Sequence, residues 1–115
     1  MDAELDLTRL TELQELLGSE LSEIVATLVD EITRAVDEIE AGIADGDLRA
    51  AALAAHAARN SALMLDAKPT LDALRAIETG ARDEDLVIAQ EGLERLRSAW
   101  PALRRRLQAE AQRRS

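Results

Sequence analysis

From Leu21 to Ile43 the apolar residues fall at Leu21, Ile24, Val25, Leu28, Ile32, Val36, Ile39 and Ile43. Steps of three and four put all of them on one side of an α-helix, because about 3.6 residues make a turn. A helix this long with a single apolar stripe must bury that stripe against other elements. No stretch of the chain shows the alternation of a half-buried strand, so those elements are helices as well. Ala and Leu dominate the remaining apolar residues, and Trp100 is the only large aromatic side chain. A core of small and aliphatic side chains lets helices approach closely, which suits a bundle.

The other helices have their own punctuation. Leu5, Leu7, Leu10, Leu13, Leu16 and Leu17 recur at helical spacing after Asp6 or Thr8 as cap, and Gly18 fits a left-handed helix end. Ser19 is the expected cap of the long helix. Asp45-Gly46-Asp47 forms a turn whose last residue caps the next helix, Leu48 to Leu65. Pro69 suits the first turn of a fourth helix, which uses Leu71, Leu74 and Ile77 and is expected to stop at Gly80. Asp83 or Asp85 opens the fifth, through Leu86, Ile88, Ala89, Leu93, Leu96, Trp100, Leu103 and Leu107. Short connections favour antiparallel neighbours. The predicted fold is all-α: an up-down-up-down four-helix bundle with a short N-terminal cover helix. It forms one domain over residues 1–115, with a core at about 5–108 and a frayed tail AQRRS.

Charge and composition exclude several classes of function. Residues 1–48 carry 14 acids and 2 bases, and residues 49–115 carry 9 acids and 12 bases. An acidic bundle is a poor general binder of nucleic acid. The run Arg104 to Arg106 and the pair Arg113 and Arg114 are accounted for by favourable charge near a helix C-terminus. No segment reaches the roughly 18 apolar residues of a membrane span. The acidic start MDAELDL argues against a secretory signal, and the lack of cysteine fits a reducing cytoplasm.

The chemistry centres on His56, the only histidine. In the third helix Leu48, Ala51, Ala52, Ala55, Ala58, Ala62 and Leu65 make the expected core stripe, and His56 lies on its flank. Arg49, Leu53, Asn60 and Leu63 share its face at steps of three and four, with Met64 at the edge. A di-metal centre of the bundle type needs Glu-x-x-His pairs, and no Glu stands three residues before His56. There is no strand to carry a phosphate loop and no nucleophile elbow. An exposed imidazole can still attack phosphorus, and phosphoryl transfer asks mainly for charge neutralisation and in-line geometry.

Ala55-His56-Ala57-Ala58-Arg59-Asn60-Ser61-Ala62, followed by Leu65-Asp66-Ala67, resembles the A-H-x-L-K-G-S-S and L-G-A pattern of histidine phosphotransfer (HPt) domains of bacterial phosphorelays. LDLTRLTELQELLG, IEAGIADGDLRAAALAAHA and LDALRAIETGARDEDL are similar to that family's opening helix, its run into the histidine helix, and its fourth helix. The resemblance spans about residues 5–108 and implies a phosphocarrier rather than a kinase or ATPase. His56 would be the phosphoacceptor, Arg59 would screen the phosphate and Asn60 would line the approach. Arg49, Leu53, Leu63 and Met64 would form the docking patch. The implied partners are response-regulator receiver domains, with a hybrid histidine kinase as a further partner. Neither nucleic acid nor membrane is expected, and the chain would act as a cytoplasmic monomer. It would need no cofactor of its own, since Mg²⁺ belongs to the receiver.

The departures from the pattern are specific. Asn60 stands where the family has a small Gly, Arg59 where it has Lys, Ala62 for the second Ser, and Asp66 for the Gly before Ala67. Arg keeps the charge of Lys but not its geometry. Asn60 motivates a second reading, an interaction module that binds a receiver or kinase without phosphotransfer. A third, the dimerisation domain of a histidine kinase, expects an acid close after the histidine, and Ala57 follows instead.

Overall fold

The computed structural model describes residues 8–114. The helices are α1 (Thr8–Leu17), α2 (Leu21–Ala44), α3 (Leu48–Met64), α4 (Lys68–Arg82) and α5 (Leu86–Arg114). The described residues are all-α, as the periodicity requires. Helices α2 to α5 pack in a closed ring, each against the helix before and after it, with α5 returning to α2. The core is aliphatic: Val25, Ile32, Ile39, Ala55, Leu74, Ile77 and Leu96 are all buried, with Trp100 donating its indole N–H to Thr33 Oγ1 (3.2 Å) between α5 and α2.

The three connections inside the ring share one geometry. Residues Gly46, Asp66 and Glu84 are left-handed, with φ of 73°, 54° and 55°. In each case the following N–H returns to a carbonyl five residues back: Asp47 to Gly42, Ala67 to Ala62, and Asp85 to Gly80. That is the Schellman closure of a helix end, and it satisfies carbonyls the helix leaves open. Asp47 and Asp85 then cap the next helix, accepting from the N–H of Ala50 (3.0 Å) and Ile88 (3.2 Å). Asp66 thus occupies a left-handed position. Glycine takes it freely, and Asp is among the few other residues that tolerate it.

Helix α1 lies across one end of the ring. Leu10 is buried there, and Arg9 Nη1 donates to the carbonyls of Leu63 and Met64 (2.9 Å each), closing the C-terminal end of α3. Leu5 and Leu7, read as part of this helix, and Asp6, read with Thr8 as one of two candidate caps, lie outside the described residues, and Thr8 is the first residue of α1.

Several expectations need correction. Ser19 does not cap α2: Gly18 is left-handed (φ 57°), and Gly18–Glu20 form a 3-10 turn before α2 begins. Leu16 is 80% exposed rather than buried. Gly80 does not end α4, which runs on to Arg82, and Leu86 and Ile88 are exposed at the start of α5. The core face of α3 is turned slightly from the expected stripe, so Ala54 and Ser61 are buried while Ala52 is only half-buried. Ser61 is satisfied by donating to Glu31 on α2 (2.5 Å). Within the described residues the tail is not frayed, since 111–114 are helical. Residue Ala111 is buried, and Arg114 donates to Thr11 Oγ1 (2.9 Å) and Gln14 Oε1 (3.0 Å) of α1. The hydrogen bond from Arg113 holds the Glu110 carboxyl below its usual range, with the charge of Arg114 adding to it.

Candidate functional site

Residue His56 is the ninth of the 17 residues of α3, and its side chain is 70% exposed. Ala55 and Ala58 on either side are buried, which fixes the helix rotation and holds the imidazole on the α4 side of the helix. Glu78, on α4, faces it. The His56 Nδ1 atom lies 3.2 Å from Glu78 Oε1. The Arg59 Nη1 atom donates to both Glu78 oxygens, at 3.3 and 3.1 Å. One carboxylate therefore gathers the imidazole and the guanidinium that stand one turn apart on α3.

When the ring is neutral, these contacts select its tautomer. An ionised carboxylate only accepts, so Nδ1 carries the proton it donates to Glu78. Arg59 Nη1 is also 3.5 Å from Nδ1, at the limit of a hydrogen bond, and a protonated Nδ1 cannot accept from it. In that tautomer the Nε2 atom keeps its lone pair. Its ring is held by Glu78, whose side chain is only 19% exposed and is therefore well anchored.

A small cavity of about 120 Å³ is lined by His56, Arg59, Asn60, Leu63, Leu71 and Arg75. Of the residues singled out in the sequence, it brings together His56, Arg59, Asn60 and Leu63. Leu53, Leu63 and Met64 are 61%, 52% and 46% exposed, so none of them is core. Leu53 and Met64 do not line the cavity, and Arg49 is exposed two turns back along α3. Sequence reasoning missed Glu78 and Arg75. Both lie on α4, and the only local signal was that they flank its apolar set of Leu71, Leu74 and Ile77. Among the described residues no group of His, Asp and Glu is arranged to hold a metal ion.

Chemically the arrangement offers an accessible, oriented imidazole beside one ion pair, with the Glu78 carboxylate as its hydrogen-bonded partner. It suits transfer of a group to or from a partner that brings its own reactive atoms. No helix among the described residues is long and apolar enough to cross a membrane. Comparison with curated proteins and with solved structures finds no match. Residues 23–111 match the family described as Hpt domain, the domains that carry histidine phosphotransfer in two-component phosphorelays with receiver domains and histidine kinases. The match takes in α3, α4 and nearly all of α2 and α5, and the chain belongs to the Hpt domain family.

Proposed function

We propose that this chain is a phosphocarrier in which His56 takes a phosphoryl group from an aspartyl phosphate of one receiver domain and passes it to the aspartate of another. The observation that carries this reading is the Glu78–His56 contact, which in the neutral ring favours a free Nε2 on an imidazole that is mostly exposed. In the forward step the Nε2 lone pair forms the N–P bond while the P–O bond to the aspartyl oxygen breaks. The bonding pair leaves on the aspartate carboxylate. The ring becomes cationic, and its Nδ1–H is held by the Glu78 carboxylate, which stabilises that charge. Onward transfer is the same step reversed with a second aspartate. The Mg²⁺ that screens the phosphoryl oxygens belongs to the receiver, and the chain contributes no cofactor. The exposed apolar side chains of Leu53, Leu63 and Met64, on the face of His56 and at its edge, are the docking patch. Arg49 adds charge at its margin. A cytoplasmic, monomeric protein fits this role.

Glu78→Gln tests the orienting role. An amide can present its NH₂ to Nδ1 and so favour the tautomer with the proton on Nε2, which cannot attack. Transfer should slow by roughly tenfold, about 1.4 kcal/mol of barrier, while receiver affinity holds. Unchanged transfer would remove Glu78 from the mechanism.

Asn60 supports the rival reading, a module that binds receivers without transfer. It is exposed and lines the cavity one turn from His56, where the family's glycine presents no side chain. If it only narrows the approach, Asn60→Gly speeds single-turnover transfer from a phosphorylated receiver. That gain comes against a helix cost of roughly 0.5 kcal/mol or less. If its amide bonds the transferring group, the same change slows transfer at constant affinity. We expect Asn60 to be tolerated or mildly helpful, with transfer in the wild type and an equal or modestly slower rate in Asn60→Gly. Tight receiver binding by the wild type with no transfer would instead establish the rival reading.

A further inference from the structure

Arg59, the cation that the sequence offers a phosphoryl group, is already engaged. Both Glu78 oxygens take its Nη1, so its charge is balanced before any phosphate arrives. A phosphoryl group on Nε2 brings about two negative charges to within a few ångströms of the Glu78 carboxylate. Arg59 alone would leave that charge uncompensated on the chain's side.

The cavity has a second cation. Arg75 lies one turn before Glu78 on α4 and lines the cavity opposite Arg59 and Asn60. It is exposed, and it makes no hydrogen bond or ion pair among the described residues. The remaining arginines do not line this cavity, and Arg49 stands two turns back from His56 along α3. Arg9 holds the end of α3, Arg82 sits 3.9 Å from Asp83, and Arg34 lines a separate cavity between α2 and α3. Among the described residues that line the cavity with His56, Arg75 is the one cation whose charge is uncommitted.

We infer that Arg75 is the residue of this chain that contacts the phosphoryl group on His56, and that Arg59 mainly positions Glu78 and the imidazole. The inference rests on His56 being the acceptor. As the aspartyl P–O bond breaks and the Nε2–P bond forms, the three outer phosphoryl oxygens keep their negative charge. On the acceptor side the Arg75 guanidinium replaces part of the Mg²⁺ field lost when the group leaves the receiver. An arginine suits this because its planar fork binds phosphate oxygens in pairs.

Two measurements test it, on the full chain and on Arg75→Gln and Arg75→Lys. The first is single-turnover transfer from a phosphorylated receiver at varied receiver concentration. Arg75→Gln should lower the saturating rate roughly tenfold with half-saturation unchanged, and Arg75→Lys should recover part of it. A change confined to half-saturation would make Arg75 a docking contact and overturn the inference. The second uses chain phosphorylated on His56 by phosphoramidate, without any receiver. The ³¹P shift against pH reports the last ionisation of the phosphoryl group. A nearby cation favours the dianion, so losing Arg75 should move that midpoint to higher pH while Arg75→Lys does not. Equal midpoints in wild type and Arg75→Gln would overturn the inference. If the midpoint moves but no receiver ever transfers to the wild type, the contact stands and the carrier reading fails.

Discussion

His56→Gln is expected to leave the bundle folded and to reduce phosphoryl labelling from a receiver to background. The side chain is 70% exposed, and its one firm contact is to Glu78 at 3.2 Å. A polar replacement at such a site changes stability by about 0.5 kcal/mol or less, so circular dichroism and thermal melting should match the wild type. Glutamine keeps polarity and helix propensity but has no nitrogen lone pair able to attack phosphorus. No other histidine or cysteine exists in the chain to take over. Labelling that survives at another residue would mean that the nucleophile is misassigned.

Gly80→Ala is expected to have the opposite profile, a large loss of stability at a position remote in sequence from His56. A Cβ on Gly80 would lie 2.6 Å from the backbone N of Ala89 and 3.1 Å from its Cα. The obstacle is backbone, so no side chain can swing aside, and α4 and α5 must separate. Overpacking costs about 1–3 kcal/mol, and helix propensity returns at most about 1 kcal/mol. A net loss of roughly 1–2 kcal/mol should lower the melting temperature by roughly 4–8 °C. Gly18→Ala is the contrast. Nothing lies within 4 Å of a Cβ there, and its cost is only that of the left-handed backbone, φ 57°. Equal melting of Gly80→Ala and wild type would show that the α4–α5 contact is looser than drawn.

These two residues also mark how far the sequence could be read. The stripe of α2, the caps at Asp47 and Asp85, Pro69 in the first turn of α4 and the ring of antiparallel helices follow from local periodicity and turn chemistry. Gly80 was misread because a glycine late in a helix looks like a terminator. Its actual role, close approach to Ala89, depends on a neighbour that local pattern does not identify. The tail was misread for the same reason, since Arg114 is held by Thr11 and Gln14 at the other end of the chain. Ser19 looked like a cap because local preference does not foresee the 3-10 turn inserted before α2.

The site divides in the same way. His56, Arg59, Asn60 and Leu63 share one face of one helix, and spacing alone brings them together. Glu78 and Arg75 come from α4, and the helical pattern marks them only as polar positions beside an apolar stripe. Yet Glu78 contacts the imidazole of His56 and engages Arg59. The resemblance to the family pointed to the histidine and the cation one turn on, and the structure adds the carboxylate between them. It also accounts for one departure, since Asp66 stands at a left-handed position where glycine is the family residue.

The most direct measurement exploits the single histidine. Nitrogen-15 NMR of the imidazole, before and after phosphorylation by a receiver, is free of overlap from other histidines. The account predicts that the neutral ring carries its proton on Nδ1 beforehand, and afterwards phosphorus coupling on Nε2 with the Nδ1 proton retained. Phosphorus on Nδ1 would contradict the role given to Glu78, and a ring that never acquires phosphorus from any receiver would contradict the phosphocarrier itself.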